Sequence, residues 1–196
     1  TATIISRAIF GRATIFDIPD LQLLPIGYYG IVILVALASG LAGVIFNWGL
    51  LNIGRFYSLP CFKRPVQKIA FALICAGILG YFLPEVLGGG NDLINHLAKA
   101  PVSLQVLLIF LAGKLIFTLI SYGCGVPGGF FLPMLVIGAL CGSICAQILI
   151  MLGWIEPAYA TNIMVVAMAA LFASSVRAPI TGTVLIMEMT ASYQQL

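Results

Sequence analysis

The segment with the most chemical content is Gly125-Val126-Pro127-Gly128-Gly129-Phe130-Phe131-Leu132-Pro133, set between two long apolar stretches. A helix starting near Phe130 exposes backbone N–H groups that have no carbonyl partner inside the helix. Its aligned peptide dipoles add roughly half a positive charge at that end. Together these make an anion site that needs no cationic side chain. Gly128 and Gly129 leave the backbone bare, so an ion can approach it. Pro133 has no N–H to lose and suits a first turn. The N–H groups of Phe130, Phe131 and Leu132 then stay available, and the phenyl rings form an apolar wall. Cation filters use carbonyl oxygens or acidic rings, whereas the free groups here are donors. No carboxylate lies between Asp92 and Glu156. The same residues also suit a turn that merely lets two helices pack closely, and the residues alone leave both readings standing.

Other polar residues offer less. Glu188 sits in an apolar stretch, where a centred charge costs about 2.5–3.5 kcal/mol. Near a helix end, it is expected to serve as a structural hydrogen-bonding group. Lys114 could attract anions, but a snorkelling or helix-end role is the expectation. Arg177 is expected to open a helix, where the dipole disfavours a cation, so it needs a carbonyl, a carboxylate or the cytoplasmic surface nearby. His96, the single histidine, stands near Asp92 and Asn95 and reads as polar surface. An intramembrane hydrolase would need a nucleophile and a base within reach. Ser121 with His96 is the one available pair, and no GxSxG or HExxH motif supports it. A cation-coupled transporter with broken helices needs carboxylates or hydroxyls at the breaks, and Ser174 and Thr181 are the nearby hydroxyls weighed for that role, while the Gly-rich break holds none. Neither an enzyme nor a metal or cofactor is expected.

The elements that must position these residues follow from composition. Hydrophobic residues make up 62% of the 196 and charged residues 8%, against about 45–50% and about 25% in soluble domains. So few charges cannot surface a water-soluble globule, and disordered chains are polar. A polytopic membrane protein remains. Nine scattered Lys and Arg, with a net charge of +3, imply no nucleic-acid surface. Cys141 and Cys145 read as small buried hydrophobes, with no CxxC pair anywhere.

Spacing predicts helices over 28–51, 66–83, 93–99, 102–121, 130–152, 161–173 and 177–190. Arg55, Lys63, Arg64 and Lys68 cluster in the first connection, which the positive-inside rule makes cytoplasmic. Tyr28, Tyr29, Trp48, Trp154 and Tyr159 lie near apolar-run ends, as interface anchors do. Gly40 and Gly43 suit close helix packing. The breaks at 123–129 and 174–179 fall in apolar sequence. Broken backbone survives at membrane depth only where protein or a watery cavity covers it, and it points to a transporter binding site. The opening at Thr1 reads as the tail of a helix, which suggests a piece of something longer.

Gly129-Phe130-Phe131-Leu132-Pro133 fits the GxFxP signature of the CLC family of chloride channels and chloride/proton antiporters. The preceding Gly125-Val126-Pro127-Gly128 resembles that family too. So do Ser174-Ser175-Val176-Arg177-Ala178-Pro179-Ile180-Thr181-Gly182, Glu188-Met189-Thr190, the turn at Gly88–Asn91, and Phe46-Asn47. The resemblance runs in order along nearly the whole chain. It implies an all-α integral membrane fold of tilted, uneven and partly broken helices, one half of an inverted repeat. Residues 1–196 would be a single truncated transmembrane region, most of the second half. Gly128, Gly129, Phe130, Phe131, Leu132 and Pro133 would form the anion-binding segment, with the Phe130 and Phe131 N–H groups on the central ion. Ile180, Val184 and Met187 would join a homodimer interface. Chloride would be the cargo and the lipid bilayer the setting, in the plasma (inner) membrane of a prokaryote. The family's gating glutamate, its first-half anion loop, its proton-relay glutamate and its pathway tyrosine would lie outside this chain. Tyr193 falls too early to be that tyrosine. Channel versus antiporter, and chloride versus nitrate, are not legible here.

Overall fold

The computed structural model describes residues 24–99 and 102–190, together with Phe16. Thr1 and Tyr193 lie outside the described residues. Among the described residues every regular element is helical. The helices are α1 (Tyr29–Phe56), α2 (Pro65–Phe82), α3 (Asn91–Lys99), α4 (Leu104–Gly123), α5 (Phe131–Met151), α6 (Ala160–Val176) and α7 (Pro179–Thr190). One-turn 3-10 helices precede α1 and α6 and lie in the connections before α2 and α3. Five segments are long and apolar enough to cross a membrane: Ile26–Phe56, Pro65–Phe82, Leu104–Gly123, Phe131–Met151 and Pro157–Val176.

Local chemistry explains the boundaries. α1 runs past the expected stop at Leu51, because no proline intervenes before Pro60. Arg55 in its last turn complements the dipole. Proline opens α2 at Pro65, where a missing N–H costs nothing, and the Gln67 side chain accepts the Arg64 N–H at 3.0 Å. α6 extends through Ser174 and Ser175, which spacing assigned to a break, and the turn falls at Arg177 instead. Arg177 therefore does not open a helix. It closes α6 in a left-handed conformation at φ 59°, at the end where the dipole favours a cation.

The core lies along α5 and α6. α6 packs most extensively against α5 and α1, and residues Met134–Leu140 of α5 are almost wholly out of contact with solvent. Gly138 and Gly142 let the backbones approach. A Cβ there would stand 2.8 Å from the Met168 Cα and 2.6 Å from the Met164 Cα. This Gly-x-x-x-Gly pair carries the close contact. Of the expected pair, Gly43 meets α6 at Ser174, while Gly40 faces open space. Asn47 ties α1 to the end of α6, its Nδ2 donating to the Ser175 carbonyl at 2.8 Å. The Glu188 side chain is exposed and makes no hydrogen bond with another described residue.

Candidate anion site

α4 ends at Gly123, and Gly125, at φ +84°, turns the chain away from the helix path. The backbone then runs exposed through Gly129 and enters α5 with Phe130 as the capping residue. The first helical bond of α5 is Met134 N–H to the Phe130 carbonyl, at 3.0 Å. Among the described residues the N–H groups of Phe130, Phe131 and Leu132 donate to no backbone carbonyl. Pro133 occupies the third helical position and has no N–H to orphan. Two ring contacts fix this helix start. Phe131 meets Phe172 of α6 edge-on with centroids 5.5 Å apart, and Phe130 meets Tyr122 of α4 in the same way at 5.5 Å.

The start of α5 faces a cavity of about 840 Å³ walled by α2, α4 and the turn at Gly88–Gly89. All six expected residues, Gly128 through Pro133, line it. No carboxylate lines it among the described residues, while Lys114 does. The cavity is thus bordered by orphan amide donors, one ammonium, a few hydroxyls and apolar side chains. Elsewhere a packing turn would press its glycines against neighbouring atoms. Here a Cβ at Gly129 would meet nothing within 4 Å, and one at Gly128 only the Val126 carbonyl at 4.0 Å. Close helix packing does not explain this glycine pair.

The remaining candidates fall elsewhere. Ser121 borders the cavity, but His96 does not; its Nδ1 lies 4.0 Å from Glu85 at a half-exposed site. Ser174 and Thr181 are likewise outside it, and the Ser174 hydroxyl donates to the Leu171 carbonyl at 2.9 Å. Ile180 and Val184 stand exposed on α7, with Met187 partly covered. Tyr122 and Thr118 also reach the cavity, and sequence reasoning missed both. Nothing in an apolar helix marks which of its faces meets a cavity formed by distant segments.

The voltage gated chloride channel family matches this chain over residues 1–196. The chain belongs to that family. It is similar to the H(+)/Cl(-) exchange transporter ClcA of Vibrio campbellii, with 34% identity over 98% of this chain and 42% of that protein. ClcA of Salmonella agona is 34% identical over 98% of this chain and 41% of its own length. The crystal structure of a slow cyanobacterial Cl-/H+ antiporter superposes with a TM-score of 0.88 at 28% identity, covering 100% of this chain and 46% of that one. The chain therefore spans about two fifths of the length of the transporters it matches. As a family member with five apolar helices of spanning length, it is a multi-pass integral membrane protein.

Proposed function

We propose that this chain forms one wall of a transmembrane chloride pathway. The observation that carries the reading is the start of α5, where orphan N–H groups and an unpacked glycine pair border a cavity lined by no carboxylate among the described residues. A chloride ion there exchanges hydration for amide donors that are already oriented. Hydrogen bonds to a charged partner contribute about 1.5–3 kcal/mol each, and a few of them hold an ion without trapping it. The relatives are named as exchangers, which supports proton-coupled exchange over a channel. Transport requires no covalent step and no cofactor, so the chain is not an enzyme. The exposed Ile180 and Val184 suit a homodimer contact in the bilayer, and the bacterial relatives support a prokaryotic inner membrane.

The test reconstitutes the gene product carrying this chain in liposomes and records chloride efflux together with external pH. Chloride leaving with stoichiometric proton uptake is the expected result. Chloride leaving without a pH change would identify a channel. No chloride movement by demonstrably folded protein would sink the anion reading.

A further inference from the structure

We propose that Lys114 is a positioning residue that clamps the Gly88–Gly90 turn across the start of α5 and thereby sets which anions the cavity admits. The inference rests on the chloride-pathway reading above. Lys114 is 1% exposed, within α4. Its Nζ donates to the Val86 carbonyl at 2.8 Å and to the Gly88 carbonyl at 2.8 Å. A buried ammonium is costly unless its donors are satisfied, and it has three donors, two of them spent on this one turn. No carboxylate among the described residues lies within 4.0 Å of it.

The clamped turn presses directly on α5. A Cβ at Gly89 would stand 3.1 Å from Leu132 Cδ1, and one at Gly90 would stand 2.6 Å from Val136 Cγ2 and 3.3 Å from Lys114 Nζ. Gly90 also holds φ +84°, which side-chain-bearing residues rarely adopt. Leu132 carries one of the orphan N–H groups, and Gly88, Gly89 and Lys114 line the same cavity as Leu132. The ammonium therefore fixes the distance between the turn and the first turns of α5, which is one dimension of the site.

The experiment measures permeability ratios of chloride to iodide and thiocyanate in liposomes for wild type, Lys114→Met, Lys114→Arg and Gly90→Ala, each checked for monodispersity. Lys114→Met removes the clamp at similar side-chain length. Gly90→Ala keeps the ammonium but wedges the turn off Val136. Both should reduce size discrimination by roughly tenfold, the scale set by about one methylene of slack in a pocket wall. Lys114→Arg, which restores donors to the two carbonyls, should recover most of it. A uniform fall in flux for all three anions with wild-type ratios in both Lys114→Met and Gly90→Ala would overturn the clamp, leaving plain charge attraction or stability. If Lys114→Met does not fold, Gly90→Ala alone decides: unchanged ratios overturn the proposal. A wild type that moves no anion overturns the pathway reading as well, and the two failures are thus distinct.

Discussion

Gly129 is the residue at which packing and ion binding make opposite demands. A Cβ there meets no atom within 4 Å, so Gly129→Ala should leave the stability within about 0.5 kcal/mol of wild type, as for unconstrained sites. The added methyl would stand beside the bare backbone that an ion must approach. Chloride flux should therefore fall while the melt is unchanged. A destabilised variant with unaltered flux per folded molecule would return the glycine pair to a packing role. Residue types alone left this choice open, because a glycine looks the same in sequence whether it admits a helix or an ion. Only its empty surroundings separate the two.

At the scale of elements, the α5–α6 contact and the α1–α2 connection carry separate expectations. Gly142→Ala would drive a Cβ to within 2.6 Å of the Met164 backbone, and overpacking of this kind costs about 1–3 kcal/mol. A thermal melt should show that loss, whereas Gly40→Ala, facing open space, should not. Just past the end of α1, the Tyr57 hydroxyl donates to the Ile120 carbonyl at 2.9 Å. Burial pushes this phenol from 10.0 up to about 12. A raised pKa in the folded state means the unfolded chain gives up the proton first. The Tyr57 contribution is thus fully present below pH 10 and is lost as pH rises through 12. Melts over that window should fall more steeply in wild type than in Tyr57→Phe. Helix existence was legible from apolar runs, since bilayer thickness fixes their length. The ends of α1 and α6 were not. Ser174 and Ser175 look like a break, yet Ser174 bonds back to Leu171 inside the helix. Arg177 gives no composition signal for a left-handed turn. The Gly138–Gly142 seam was present as a motif, but only the partner backbone of α6 shows that it is used.

For the whole molecule, the positive-inside rule gives an expected orientation that labelling can test. By that rule Lys63 and Arg64 in the connection between α1 and α2, with Arg55 and Lys68 in the flanking helix turns, predict a cytoplasmic connection. Cys61 is exposed in it, while the other four cysteines are buried or partly covered. A membrane-impermeant maleimide should label Cys61 in inside-out vesicles and not in intact cells; labelling from outside would invert the topology. Membrane helices were legible because the composition excludes every soluble class, and the half-repeat architecture was legible only through the family resemblance carried by the GxFxP segment and its companion motifs. The cavity was not, since α2, α4 and the Gly88 turn converge on it from positions far apart in the chain.

The most direct test of the account replaces the single amide at Phe131 by an ester, keeping the phenyl ring and its contact with Phe172 while deleting one N–H. Chloride affinity of the reconstituted protein is then measured by calorimetry. Loss of one charge-assisted hydrogen bond should weaken binding by about tenfold or more. An ester-bearing protein that binds chloride as tightly as the amide would contradict the claim that the first turn of α5 holds the ion.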